Sequence, residues 1–237
     1  MKLIALLALA VLARAGEIPL AERRSGYDVM SRETRAMQDD DTTNPALFTL
    51  MEGEALFKAN CASCHDDMKG VAPRYPAVKA GELVNLEQQI NACRTERQKA
   101  RPFAYESKEL LALTAYVGRE SRGMPIAVSP DDKHLAAGRR LFERRQGQLN
   151  LACSQCHDDN WGKSLAGTPI PQAHATGYPL YRLEWQSLGS LERRLRNCMI
   201  GVRAEPYAYG APEMVELELY LMWRARGMKL ETPAVRP

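Results

Sequence analysis

Two short stretches carry chemistry in their spacing: Cys61-Ala62-Ser63-Cys64-His65 and Cys153-Ser154-Gln155-Cys156-His157. A lone C-x-x-C pair can close a disulfide or supply half of a zinc site. Two such pairs, each followed directly by His, point instead to covalent heme attachment. Cys61 with Cys64, and Cys153 with Cys156, would add across the two vinyl groups of one porphyrin. The adjacent His65 or His157 would then turn its imidazole onto the iron. The sequence therefore predicts two covalently bound heme c groups, and the open question is what stands opposite each iron.

Six cysteines less the four in the motifs leave Cys93 and Cys198. Cys93 ends an apolar series Leu83, Leu86, Ile90, and Cys198 ends Leu188, Leu191, Leu195. Both series run i, i+3, i+7, i+10, a single helical stripe, so each cysteine shares the buried face of its helix. Met is the ordinary distal ligand of a small electron carrier, and Met124 and Met228 occupy matching places. His174, in a long loop, is within reach of the second heme, whereas His134 reads as a surface residue. The alternatives for the spare cysteines are one mutual disulfide or two buried thiols. Free thiols need another use in an oxidising compartment, and iron coordination supplies one: a thiolate stabilises ferric iron and lowers its potential. Arg193, Arg194, Arg196 and Arg203 crowd the helix of Cys198, with Arg182 upstream. Such runs are commonly solvated faces, but guanidinium forks also suit sulfur or phosphorus oxyanions. The Cys93 region has Arg94, Arg97, Lys99 and Arg101, so basicity alone does not choose between the hemes.

These residues need helices to place them, and the chain supplies the helices twice. Each cysteine helix is followed by Pro-aromatic-Ala-Tyr (Pro102 to Tyr105, Pro206 to Tyr209), then an apolar helix, then Arg-Gly-Met at 122–124 and 226–228. The apolar helices are predicted over 108–117 and 213–223. Ahead of the motifs, Gly53 to Phe57 resembles Gly138 to Phe142. A repeat of about 100 residues exceeds solenoid periods and reads as duplicated domains. Asn44-Pro45 and Ala211-Pro212 are good helix starts. The Pro- and Gly-rich loop from Trp161 to Arg182 is expected to pack on a heme without forming strands. The predicted fold is all-α: two tandem cytochrome c-like domains, at 49–127 and 128–237, joined near Pro125 to Asp131. A polar arm, 16–48, would wrap the body or a partner, or be partly disordered.

Lys2, an apolar run from Leu3 to Leu12, and Ala13-Arg14-Ala15 read as an export signal over 1–15, the alternative being an uncleaved anchor. The run falls short of the ~20 residues of a membrane span. The mature protein is expected in the periplasm, without membrane insertion. The 237 residues carry a net +3, and loss of Lys2 and Arg14 leaves +1. Neither value, nor any basic-aromatic motif, suits general nucleic-acid binding.

The run from Gly177 through Cys198 to Pro206 closely resembles the SoxA subunits of the thiosulfate-oxidising SoxXA cytochromes, including the C-x-x-x-x-R spacing of Cys198 and Arg203. The likeness spans nearly all of the mature chain, and the intact first motif matches the diheme form. It implies L-cysteine S-thiosulfotransferase activity: thiosulfate is joined oxidatively to a cysteine of a SoxY-type carrier, in a SoxYZ complex, as an S-thiosulfonate. Two electrons leave through heme. By the same resemblance the second heme is the active-site heme. Cys198 is its distal ligand, able to carry a persulfide, and Arg203 binds the sulfonate end. The first heme, with His65 and Cys93, is a relay or a structural remnant. A SoxX-type monoheme cytochrome is the implied heterodimer partner. The competing reading of the same residues is a pure electron-transfer cytochrome with Cys-tuned hemes.

Overall fold

The computed structural model describes residues 17–129 and 132–237. The export signal over 1–15, and Pro130 and Asp131 of the joint, lie outside the described residues.

Each repeat is framed by two crossing helices. In the first, α2 (Leu47–Asn60) packs on α4 (Lys108–Arg119); in the second, α5 (Asp132–Glu143) packs on α8 (Pro212–Arg224). Both crossings depend on a glycine. A Cβ on Gly53 would lie 2.1 Å from the Ala112 carbonyl oxygen, and one on Gly138 would lie 2.0 Å from that of Glu216. The bare backbone lets Phe57 meet Tyr116 at 5.2 Å and Phe142 meet Tyr220 at 5.3 Å between ring centroids. The helices predicted over 108–117 and 213–223 are each two residues longer than predicted, and Pro212 opens α8 at its first turn.

Between the framing helices each repeat inserts its heme motif, a β-hairpin and the cysteine helix. In the first repeat Cys61 to Cys64 form tight turns after α2, and β1 (Ala77–Lys79) pairs with β2 (Glu82–Val84) ahead of α3 (Leu86–Glu96). In the second, the motif itself is a short helix, α6 (Cys153–His157). There follow β3 (Ser164–Leu165) with β4 (Thr168–Pro169), then β5 (Leu180–Arg182) with β6 (Ser187–Gly189), and α7 (Leu191–Gly201). Asn85 and Ser190 cap α3 and α7 by accepting the backbone N–H of Gln88 and Arg193. The expectation that the 161–182 loop forms no strands is therefore corrected. Strands of two or three residues are too short to show alternation in sequence.

The arm is ordered and lies on the body. Two 3-10 turns (Leu20–Glu22 and Gly26–Val29) lead to α1 (Arg32–Asp39). Asn44 Nδ2 donates to the Pro233 carbonyl at 3.2 Å, and the Val235 N–H donates to Gln38 Oε1 at 3.1 Å. These bonds hold β7 (Val235–Arg236), which joins β5 in parallel. The ends of the repeats pair reciprocally: Ile126 N–H to Met228 O at 2.9 Å, and Leu230 N–H to Met124 O at 2.9 Å. Met124 and Met228 thus serve the joint between repeats, and neither lines a motif cavity.

Candidate functional site

The second motif forms one wall of a cavity. Cys153 and His157 line it from α6, and Cys198 lines it from α7. Nδ1 of His157 stands 2.7 Å from the Pro171 carbonyl oxygen. A carbonyl can only accept, so Nδ1 is the donor and the Nε2 lone pair remains for a metal. Burial holds the His157 pKa below its ordinary value, which keeps the ring neutral as a ligand must be. Burial, then the nearby charge of Cys198, pushes the Cys153 thiol up to about 12 and raises Cys156 in the same way. Phe142, Leu191, Leu195 and Leu217 give the cavity an apolar side.

The first motif opens onto a roomier cavity of about 620 Å³, against 160 Å³ in the second. Cys61, His65 and Cys93 line it, with Phe57, Leu86 and Ile90. His65 is exposed, and burial raises the Cys61 thiol. Cys93 accepts a hydrogen bond at Sγ from the Gln89 side-chain amide at 3.6 Å. All six cysteines are free, so Cys93 and Cys198 form no mutual disulfide. Among the described residues no group of three or more His, Cys, Asp or Glu is arranged to hold a bare ion. In both repeats the first motif thiol, the imidazole and a third thiol line one largely apolar cavity, with the second motif thiol, Cys64 or Cys156, directly before the imidazole in the chain, a donor set that fits an iron porphyrin.

The arginines divide by helix face. Arg194 and Arg182 line the Cys198 cavity together with Arg236 from the C-terminal strand. Arg193 turns to Glu106 at 3.7 Å and lies over the Trp185 ring at 4.2 Å, while Arg196 covers Tyr209 at 4.6 Å. Arg203 is not brought to the cavity. It is exposed just beyond the end of α7, with a left-handed φ of 59°. His174 is buried and does reach the cavity. Its Nδ1 donates to the Arg24 carbonyl at 2.8 Å, and burial lowers its pKa to about 4. His134 lies elsewhere, 3.0 Å from Glu216. Sequence reasoning missed Gly26, Val29 and Met30 of the arm, and Arg236, as walls of this cavity. They come from the chain ends, and no local pattern marks them.

Comparison with known proteins agrees with this geometry. The SoxA/TsdA cytochrome c domain family matches residues 46–126 and 137–230. The L-cysteine S-thiosulfotransferase subunit SoxA of Pseudaminobacter salicylatoxidans is 35% identical over 235 residues, 92% of this chain and 82% of that protein. Its counterpart from Rhodovulum sulfidophilum is 35% identical over 232 residues, 91% and 80% of the two chains. The crystal structure of SoxXA from P. pantotrophus superposes with a TM-score of 0.88 at 30% identity, covering 91% of this chain and 87% of that one.

Proposed function

The chain belongs to the SoxA/TsdA cytochrome c family, and from that premise we propose that it works as a SoxA-type L-cysteine S-thiosulfotransferase. The substrates are thiosulfate and a cysteine of a SoxYZ-type carrier. One sulfur–sulfur bond forms between them, giving the S-thiosulfonate, while the carrier thiol loses its proton and two electrons leave. Heme c, held at Cys153, Cys156 and His157, supplies the one-electron chemistry that accepts them. A second heme c would be held by Cys61, Cys64 and His65, with Cys93 as a further ligand. A SoxX-type monoheme cytochrome is the heterodimer partner and the exit for electrons. The location is the periplasm, and among the described residues no helix is long and apolar enough to cross a membrane.

The observation that carries the reading is the shared cavity of His157, Cys198 and Arg194. Cys198 would supply a sulfur ligand to the heme at His157 and is the sulfur-transfer group. Thiosulfate is a small dianion, and Arg194 and Arg182 concentrate it beside that sulfur. Arg203, exposed past the helix end, meets the incoming anion outside the cavity. His157, locked by Pro171, keeps its neutral nitrogen on the metal side. The arm and Arg236 complete the wall around the reacting sulfurs.

The test is Cys198→Met. The variant should carry two hemes by intact mass and stay folded, yet fail to join thiosulfate to the carrier cysteine. Wild-type turnover in that variant would leave the electron-transfer reading as the better one.

A further inference from the structure

The two cysteine helices are the same device with different residues at the positions nearest the thiol. Aligned on Cys93 and Cys198, Gln89 takes the place of Arg194, four residues before the cysteine, and Gln98 takes the place of Arg203, five after. Both glutamines line the first cavity. Gln89 Nε2 reaches Cys93 Sγ at 3.6 Å, while Gln98 Nε2 donates to the Asn60 carbonyl at 2.5 Å. The cation that also lines this cavity next to the cysteine, Arg94, is turned onto the Phe103 ring at 3.5 Å and donates to the Arg101 carbonyl.

We propose that Gln89 is a positioning residue for the first heme: its amide holds the Cys93 sulfur by a hydrogen bond and sets how much charge that sulfur can give to iron. The proposal rests on the His65/Cys93 assignment above. A donor on a thiolate draws charge away from the metal and stabilises the ferrous state relative to the bare thiolate. The amide is neutral and spent on the sulfur, so this position brings no anion to the first cavity. Arg194 at the matching position leaves a cation beside Cys198. The position four residues before the cysteine thus serves the sulfur in the first site and supplies a cation to the cavity in the second.

The experiment is a potentiometric titration of the full-length holoprotein followed by paramagnetic resonance, which resolves two ferric hemes. Gln89→Leu should shift the first heme to lower potential, and Gln89→Arg should shift it to higher potential. The second heme should stay in place in both. Gln98→Leu is the control for cavity polarity, since its donor goes to a carbonyl, and it should move the first heme much less. Equal potentials across Gln89, Leu and Arg, or a Gln98→Leu shift as large as that of Gln89→Leu, overturns the proposal. Absence of a thiolate signal from the first heme of the wild type overturns it through the ligand assignment. Loss of carrier conjugation in wild type would instead strike the proposed function and leave these potentials readable.

Discussion

At the scale of single residues, the Cys198 cavity separates arginines that look alike in sequence. Arg194 is four positions before Cys198 and lies on the same face of α7. Arg203 is five positions after it, and at ~100° per residue it would sit about 140° away even if the helix continued. The helix in fact ends at Gly201. Arg194→Ala should therefore lower kcat/KM for thiosulfate by roughly ten- to a hundredfold, from the loss of ~1.5–3 kcal/mol of charge-assisted hydrogen bonding. Arg194→Lys should recover only part of it, because a point charge lacks the fork. Arg203→Ala should cost less, and its effect should fade as ionic strength rises, since an exposed charge acts through a screened field. Steady-state assays with the carrier at two salt concentrations would compare them. An Arg203 variant that loses more than the Arg194 variant at high salt would reverse the roles drawn here.

At the scale of elements, the repeats stand on two glycine-backed helix crossings, α2 on α4 and α5 on α8. Gly138→Ala must push α5 away from the Glu216 carbonyl, because backbone cannot move aside as a flexible side chain can. Overpacking of this kind costs about 1–3 kcal/mol. For a chain of this size that is a fall in Tm of several degrees. Phe142 lines the Cys198 cavity and sits one turn from Gly138, so the same change should also perturb the absorbance of the second heme. Gly53→Ala should lower Tm similarly but act on the first heme through Phe57. Thermal melts with heme absorbance resolve the two. A Gly138→Ala protein as stable as wild type would show that the crossing relaxes freely.

At the scale of the whole molecule, the repeats meet around buried carboxyls. Asn85, fully buried at the cap of α3, donates to Glu192 at 3.1 Å and to Glu218 at 3.2 Å across the joint. The Gly210 N–H also donates to Glu192, at 2.7 Å. Burial raises the pKa of Glu192 to about 7 and raises Glu87 and Glu218 as well. A carboxyl raised in the native state holds its proton where the unfolded chain has already lost its own. Stability therefore falls as pH rises from about 4.5 towards 7 and levels above that. Melts of the holoprotein should show a higher Tm near pH 5 than near pH 8. Glu192→Gln, which cannot ionise, should flatten that slope. An unchanged slope would mean that these carboxyls titrate alike in the folded and unfolded protein.

The sequence by itself showed the two C-x-x-C-H motifs, the duplication, and Cys93 and Cys198 on helices with Leu86 and Ile90, and with Leu191 and Leu195, although Leu83 and Leu188, read as the start of those stripes, fall in β2 and β6. Each of these is local. Thioether spacing is covalent geometry, and an i, i+3, i+7 stripe follows from the turn of one helix. Only the tertiary structure decided which of the clustered arginines line the Cys198 cavity, that Gly26, Val29, Met30 and Arg236 help to wall it, and that the two repeats share buried carboxyls. It also decided that the sulfur of Cys93 carries an amide while Cys198 shares its cavity with the guanidinium of Arg194. The reason is distance along the chain. The arm and the C-terminal strand are joined by hydrogen bonds between Asn44 and Pro233 and between Gln38 and Val235. Contacts between residues so far apart leave no period in the sequence, and they form only once each helix has buried its apolar face against the others.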